Sequence, residues 1–200
     1  MKPFIKWAGG KRWLLDNELM SLPSFDGRYF EPFLGGGAVF FHLAPARAVL
    51  SDANPRLIET YIAIRDDWQR VVTLLESMQK LHSKSFYYAE RDRVRLKPHT
   101  RAAQFLYLNR TCWNGLSREN LRGKFNVPIG TKTQVVLPDD NFSETSKLLQ
   151  NADIRACDFE ETLFDARSGD LVFIDPPYTT AHNTNGFVKY NQKIFSWDDQ

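Results

Sequence analysis

Two adjacent prolines bring an apolar stretch of this chain to an abrupt end. Residues 171–174 (LVFI) are followed by Asp175, Pro176 and Pro177, and then by Tyr178. Proline fixes its own φ, donates no backbone hydrogen bond and holds the preceding residue extended, so a buried strand must end before these prolines. The sequence therefore predicts a strand whose carboxyl end carries an acid, two outward-held carbonyls and an aromatic ring.

The residues of this corner suit a planar ring that bears an amino group. An ionised Asp175 can only accept hydrogen bonds, as can the carbonyls of Asp175 and Pro176. An exocyclic amine has two N–H donors to give, and Tyr178 can lie flat against its ring. Nucleobases that are modified outside the duplex are held by edge hydrogen bonds and aromatic stacking. The alternative is a plain strand terminator with an exposed aspartate, because short motifs produce false matches.

Short apolar runs alternate with helical patterns along the chain. Strands are predicted at residues 28–33, 47–52, 152–157 and 171–174. Helices are predicted at residues 38–43, after Pro55 as one long or two consecutive helices, and around residues 102–110. Such alternation indicates an open, mainly parallel α/β sheet. Residues 54–138 are too many for a simple crossover. We therefore predict an inserted helical lobe at 54–138 and a discontinuous domain formed by residues 1–53 and 139–200.

Positive charge is concentrated in this inserted lobe. The whole chain has a net charge of only +2, with 42% hydrophobic and 25% charged residues, as in ordinary soluble domains. Ten residues between Arg91 and Lys132 are basic and only two are acidic. Aromatic and amide side chains alternate with the charges, which favours a phosphate-backbone partner. The alternative is a solvated face that acids elsewhere balance.

Three consecutive glycines follow the first predicted strand, at residues 35–37. Such a turn lets the backbone approach a ligand at the carboxyl edge of an open sheet, and Asp52 at the end of the next strand can accept from ribose hydroxyls. This signal is weak alone. The alternative is a turn that needs positive φ and an aspartate that caps a helix.

The segment from Lys6 to Lys11 (KWAGGK) does not fit a phosphate loop, because Ile5 and Arg12 stand where glycine and a hydroxyl residue are required. It places the aromatic ring of Trp7 and the Lys11 cation on either side of two glycines. That arrangement suits a small zwitterion, with Lys11 facing its carboxylate. The alternative is Trp7 as a core anchor and Lys11 as a surface cation.

Taken in order, these segments resemble the Dam-like, D12 class of adenine-N6 DNA methyltransferases. The resemblance rests on residues 6–11 (KWAGGK), 31–37 (EPFLGGG), 51–54 (SDAN) and 175–178 (DPPY), and in the lobe on 105–110 (FLYLNR), 114–116 (NGL) and 120–128 (NLRGKFNVP). It implies a Rossmann-like S-adenosylmethionine-dependent methyltransferase sheet with an inserted, mainly helical DNA-recognition lobe. Family members continue through further strands after the segment that matches residues 175–178, whereas the sequence ends at Gln200. We therefore expect the later strands to be missing.

The resemblance also implies an activity and its residues. The expected reaction moves a methyl group from S-adenosylmethionine to adenine N6 in a short duplex site by base flipping and direct displacement, leaving S-adenosylhomocysteine and using no metal. The expected catalytic residues are Asp175, Pro176, Pro177 and Tyr178. Expected cofactor contacts are Trp7, Lys11, Phe33, Gly35, Gly37, Asp52, Asp158, Phe159 and Asp175. Expected DNA contacts are Lys6, Arg91, Arg110, Trp113, Asn114, Leu116, Arg118, Asn120, Arg122, Asn126 and Pro128.

Two departures leave the recognition sequence open: the family often has tyrosine at position 113 and a further basic residue at position 131, where this chain has Trp113 and Thr131. Two other functions stay open, namely a shortened, weakly active or inactive DNA-binding relative, and a methyltransferase for cytosine N4 or an RNA base.

Cys112 and Cys157 are too few for a disulfide framework. We expect a cytoplasmic monomer, bacterial or phage-encoded, with no signal peptide or membrane span.

Overall fold

The computed structural model describes residues 1–17, 19–118, 120 and 123–177. The helices in this part of the chain are α1 (Arg12–Asp16), α2 (Ala38–Leu43), α3 (Pro55–Leu81), α4 (Lys84–Asp92), α5 (Pro98–Thr111), α6 (Phe142–Leu149) and α7 (Phe159–Leu163). The strands are β1 (Tyr29–Glu31), β2 (Ala48–Asp52), β3 (Ala152–Ala156) and β4 (Leu171–Val172). A 3-10 turn, Trp113–Gly115, follows α5.

The four strands form one parallel sheet in the order β3-β2-β1-β4. Strand β1 is central, and Tyr29 pairs with Ala48 on one side and with Leu171 on the other. All three residues of β1 are buried, as in a strand that is covered on both faces. Because the strands are parallel, their carboxyl ends meet at one edge of the sheet. The predicted α/β class is confirmed, and the sheet is consistent with a Rossmann-like methyltransferase fold.

The glycine turn between β1 and α2 has the backbone geometry that the sequence predicts. Gly35 has φ of 47° and Gly37 has φ of 66°, a region that disfavours side chains. Helix α2 begins immediately after Gly37. The amide of Leu34 donates to the carbonyl of Ser51 at 2.9 Å, which ties the start of the turn to β2. The turn is thereby held at the carboxyl edge of the sheet.

Helix α3 is a single element with a break inside it. Asn54 caps its N-terminus by accepting from the amides of Arg56 and Leu57, and Pro55 occupies the first turn. Asp67 has φ of −151° and ψ of 45°, which interrupts the helical backbone. The sequence left one long helix or two consecutive helices open, and the structure combines both.

The boundary of the inserted lobe stays a prediction. Helix α3, its first element, packs against α5 and also against α6, β2 and β3. One hydrophobic cluster runs from the sheet, through Phe41 and Leu50, into α5 at Leu106 and Tyr107. The lobe and the sheet therefore share a core in the described residues.

Several short elements were not predicted. Helices α1, α4, α6 and α7 have five to nine residues each, which is too short for an apolar periodicity to repeat over several turns. Three of them begin at side-chain caps, namely Ser83, Asn141 and Asp158. Strand β4 is shorter than the predicted run at 171–174, although Phe173 still donates to the carbonyl of Phe30 at 2.8 Å. In the described ranges, no helix is long and apolar enough to cross a membrane.

Candidate functional site

Three carboxylates lie at the carboxyl ends of adjacent strands. Glu31 ends β1, Asp52 ends β2, and Asp175 follows β4 by three residues. Glu31 is buried, whereas the side chains of Asp52 and Asp175 are partly exposed. The N-terminal segment packs against this edge, because Trp7 lies beside Gly35 and Lys11 donates to Asp175. The structure thus brings together residues that are separated by more than 150 positions in the sequence.

Lys11 pairs with Asp175 directly. Its Nζ lies 2.6 Å from Oδ1 and 2.5 Å from Oδ2 of Asp175, and it also donates to the carbonyl of Gly9 at 2.9 Å. The Lys11 side chain is 14% exposed and that of Asp175 is 24% exposed. The sequence predicted that Lys11 faces a carboxylate of a ligand. In the structure it faces a carboxylate of the protein, because its ammonium donates to both oxygens of Asp175.

The glycine turn is fixed by two side chains and covered by a third. The Gly35 amide donates to Asp52 Oδ2 at 3.0 Å, and Tyr61 Oη donates to the Gly35 carbonyl at 3.0 Å. A Cβ atom placed on Gly35 would lie 2.6 Å from Cδ1 of Trp7. Only glycine therefore lets the Trp7 indole lie this close to the turn. Trp7 in turn stacks on Phe105 of α5 at a centroid distance of 6.5 Å.

Asp52 uses both of its carboxylate oxygens to organise this edge. Besides the bond from Gly35, Oδ1 accepts from the amide of Asn54 at 2.9 Å. Burial raises the pKa of Asp52, and the two backbone donors oppose that rise. The described contacts of Asp52 support the turn, whereas the helix-capping part of the alternative is wrong, because Asn54 caps α3. The predicted ribose contact stays a prediction.

Phe33 and Phe159, two residues predicted to border the cofactor, lie together. Their rings stack at 5.3 Å with an interplanar angle of 26°. Asp158 caps α7 by accepting from the amide of Glu160 at 3.2 Å, which places Phe159 at the start of that helix. The structure therefore gathers residues from the ends of β1 and β3 into one aromatic wall.

The predicted DNA contacts around the 3-10 turn are largely exposed. Trp113 is 52% exposed, and Asn114, Pro128 and Lys6 are also exposed. The Trp113 amide donates to the carbonyl of Pro128 at 2.9 Å. Asn114 has φ of 55°, a left-handed conformation that asparagine tolerates. The turn thus presents an aromatic and an amide side chain at the surface of the lobe.

The residues that follow the turn are partly ordered by one another. Arg118 Nε donates to Asn126 Oδ1 at 2.9 Å, and Leu116 is half-buried. Asn120 accepts from the amide of Lys124 through its side chain at 3.1 Å. Arg122 and Tyr178 lie outside the described residues, so their predicted roles stay predictions.

A cavity of about 190 Å³ adjoins this surface between α3, α4 and α5. Its lining includes Arg56, Arg91, Gln104, Phe105 and Phe125. Arg91, a predicted DNA contact, also lies 4.8 Å from the centre of the Tyr88 ring. Arg56 was not singled out by the sequence, because it precedes the basic stretch.

Arg110 corrects one expectation. Instead of facing DNA, its side chain is 4% exposed, and its guanidinium forms a double ion pair with Asp140, at 2.5 and 2.8 Å. It also donates to the carbonyls of Phe4 at 2.8 Å and Val135 at 2.6 Å. A buried arginine with these partners has a structural use, so it is wrong to count Arg110 among the DNA contacts.

Glu31 is a residue of this edge that the sequence did not single out. Its Oε2 accepts from Tyr29 Oη at 2.8 Å and from the Phe40 amide at 3.2 Å. Burial, together with the nearby charges of Asp175 and Asp52, raises the pKa of Glu31 to about 8, against the hydrogen bonds from Tyr29 and Phe40. Its only signal in the sequence is an acid inside the apolar run YFEPF.

The raised pKa of Glu31 gives an expected pH dependence of stability. The unfolded chain loses the Glu31 proton near the ordinary pKa of 4.5, whereas the folded chain keeps it up to about pH 8. Between these values the folded state binds more protons, so the free energy of unfolding falls as pH rises, by up to about 1.4 kcal/mol per pH unit. Glu31→Gln removes this dependence. Denaturant unfolding of the wild-type protein and of Glu31→Gln between about pH 5 and pH 8 measures this dependence. If the free energy of unfolding changed with pH equally in both proteins, the raised pKa of Glu31 would be contradicted.

No group of three or more histidine, cysteine, aspartate or glutamate side chains in residues 1–17, 19–118, 120 and 123–177 could hold a metal ion. The expectation of a metal-free reaction stays a prediction.

A parallel sheet with a glycine turn, and with acids at its carboxyl edge, has the organisation of a Rossmann-like methyltransferase. Residues 7–200 match the D12 class of N6 adenine-specific DNA methyltransferases, and the chain belongs to this family. This match confirms the class of enzyme that the resemblance implied.

Named relatives agree with this membership. The chain is 38% identical over 209 residues to the Type II methyltransferase M1.LlaDCHI of Lactococcus lactis subsp. cremoris, with all of this chain and 74% of the relative aligned. It is 36% identical over 203 residues to the DNA adenine methylase of Serratia marcescens, covering 75% of that protein. It is 34% identical over 203 residues to the DNA N-6-adenine-methyltransferase of Escherichia phage P1, covering 27% of that longer protein.

Proposed function

We propose that this protein methylates the N6 amino group of adenine in a short duplex DNA site, with S-adenosylmethionine as methyl donor. The observation that carries the proposal is the position of Asp175. It follows β4 at the carboxyl edge of the sheet, and Lys11 holds both of its oxygens at 2.5–2.6 Å. Two prolines follow it directly, so the neighbouring carbonyls are restrained as acceptors.

The residues at the edge fit the proposed methyl donor. The donor combines a carboxylate and an ammonium with a ribose diol and an adenine ring. The edge offers a cation in Lys11, carboxylates in Asp52 and Asp175, and aromatic faces in Trp7 and in the Phe33–Phe159 pair. The ammonium, the ribose diol and the adenine ring of the donor thus have chemically matching partners in the chain, and the donor's carboxylate would share the Lys11 ammonium with Asp175. We propose these residues, with Gly35, Gly37 and Asp158, as the cofactor site.

The chain's own part in the reaction is to bind and orient the amine. Asp175 and the Pro176 carbonyl accept hydrogen bonds from the two N–H groups of the adenine amine. This directs the lone pair of the amine nitrogen away from the two acceptors and toward the methyl donor. When bound, S-adenosylmethionine supplies the methyl group, which the amino nitrogen takes by direct displacement, leaving S-adenosylhomocysteine and one proton. Tyr178 is proposed to stack on the adenine that has left the duplex.

The lobe is proposed to hold the DNA. Its exposed Trp113 and Asn114 suit base contacts or the gap that the extruded adenine leaves, while Lys6, Arg91 and the arginines at 118 and 122 suit guanine or phosphate. Leu116, Asn120, Asn126 and Pro128 complete the proposed surface.

We further propose that the protein acts as a monomer in the cytoplasm of a bacterium or of a phage-infected cell. Relatives carry both Type II methyltransferase and DNA adenine methylase names, so either restriction-linked or independent methylation fits.

Methyl transfer from labelled S-adenosylmethionine to unmethylated duplex DNA tests the proposal. After digestion of the DNA to nucleosides, the label should elute with N6-methyldeoxyadenosine. Label in N4-methylcytosine, or transfer to RNA alone, would instead identify a different amine as substrate. Cofactor and DNA binding without transfer would identify an inactive relative. Replacing Asp175 is expected to stop turnover while DNA binding persists.

A further inference from the structure

The carboxamide of Asn109 joins two segments that have different proposed tasks. Asn109 lies near the end of α5 and is 3% exposed. Its Oδ1 accepts from the Lys6 amide at 3.0 Å, and its Nδ2 donates to the Lys6 carbonyl at 2.8 Å. The same Nδ2 lies 3.4 Å from the carbonyl of Gly115. One buried side chain therefore holds the N-terminal segment on one side and the 3-10 turn on the other.

Further contacts make this junction a direct one. A Cβ atom placed on Gly115 would lie 2.5 Å from Cδ of Lys6, so the lysine stem rests against the turn. The next residue in α5, Arg110, donates to the carbonyl of Phe4 at 2.8 Å. The Sγ atom of Cys112 is 3.3 Å from the carbonyl of Leu116. Neighbouring residues at the end of α5 thus contact both the segment before Trp7 and the segment around Asn114.

We infer that Asn109 is a positioning residue that couples DNA contact at the 3-10 turn to cofactor affinity at the N-terminal segment. This inference rests on the proposed function, which assigns the turn to DNA and Trp7 with Lys11 to the cofactor. Leaving a hydrogen-bonding partner of this buried amide unpaired costs free energy. When DNA moves or orders the Gly115 carbonyl, the carboxamide and the Lys6 backbone move with it. By linkage, cofactor binding then changes DNA affinity by the same factor.

Gln104 offers a matched control in the same helix. It is 6% exposed, and its Nε2 donates to the carbonyls of Glu90 and Arg93, both at 2.7 Å. These partners belong to the lobe alone. Gln104→Glu and Asn109→Asp both replace a buried amide that donates to two carbonyls by a carboxyl group. Only the second change affects the junction between the turn and the N-terminal segment.

The experiment measures S-adenosylhomocysteine binding by calorimetry, with and without saturating sheared unmethylated plasmid DNA. We expect the affinity of the wild-type protein to change by about fivefold or more on adding DNA. The change should vanish in Asn109→Asp and persist in Gln104→Glu. Thermal unfolding checks that each variant is folded, and Asn109→Ser, which adds no buried charge, repeats the test if Asn109→Asp is not folded.

Three outcomes would overturn the inference. These are equal affinity of the wild-type protein with and without DNA, an unchanged coupling in the Asn109 variants, or equal loss of coupling in Gln104→Glu. The readout does not require turnover. Absence of methyl transfer in a protein that still couples the two ligands would therefore reject the proposed function and keep the inference, while transfer with uncoupled binding would do the reverse.

Discussion

Asp175→Asn is expected to lower the rate of methyl transfer by about a thousandfold or more, while DNA affinity stays within about twofold of the wild-type value. The magnitude corresponds to removing a principal charge-placing group from a reaction centre. Asparagine keeps the size of the side chain but points N–H donors at an amine that also donates. It also ends the double contact with Lys11. DNA affinity should persist because the basic residues between Arg91 and Lys132 are untouched.

Single-turnover transfer to unmethylated duplex DNA measures the rate, and fluorescence anisotropy of a labelled duplex measures the affinity. Asp139→Asn is the matched control, because Asp139 forms an ion pair with Lys2 at 3.0 Å with both side chains more than half exposed. Exposed pairs contribute little, so this variant should behave as the wild type. Transfer within tenfold of wild type in Asp175→Asn would remove Asp175 from the reaction. A parallel loss of DNA affinity would show that the two roles are not separate.

Much of this edge was predictable because it depends on local chain geometry. Strand periodicity, the glycine turn and the two prolines each act over a few residues, and parallel strands then bring their ends together. That reasoning places Asp52 and Asp175 at one edge, which the structure confirms. The sequence paired Lys11 with the carboxylate of a ligand, whereas in the structure Lys11 pairs with Asp175.

The remaining contacts could not be predicted, because they join residues that are distant in the sequence. Asn109 bonds to Lys6, 103 residues away, and Tyr61 reaches Gly35, 26 residues away. Neither periodicity nor spacing carries such pairings. Glu31 likewise has no local sign that its carboxyl group is buried between a tyrosine hydroxyl and a helix amide.

Charge counting failed at Arg110 for a related reason. The excess of basic residues between Arg91 and Lys132 describes composition, whereas DNA contact depends on which cations reach the surface. Arg110 follows Asn109 on the buried side of α5, and Asp140, its partner, lies beyond the basic stretch. Arg118, in contrast, remains half-exposed beside Asn126. Two arginines eight residues apart thus have different uses that composition cannot distinguish.

Arg110→Met is accordingly expected to lower the free energy of unfolding by about 3–5 kcal/mol, the usual cost of breaking a buried ion pair from one side. The loss arises because Asp140, whose side chain is 7% exposed, keeps a buried charge without its partner. The carbonyls of Phe4 and Val135 also lose their guanidinium donors. Denaturant unfolding measures the change, since the transition midpoint falls while its slope stays constant.

The double variant Arg110→Met with Asp140→Leu separates the ion pair from the packing around it. Removing both charges takes away the unpaired carboxylate, so the double variant should recover a large part of the stability that Arg110→Met loses. Arg118→Met is the control in the same stretch, and it should weaken DNA binding while changing the free energy of unfolding by less than about 1 kcal/mol. If Arg110→Met instead weakened DNA binding at full stability, the guanidinium would have to leave Asp140 for the DNA, and its structural assignment would be wrong.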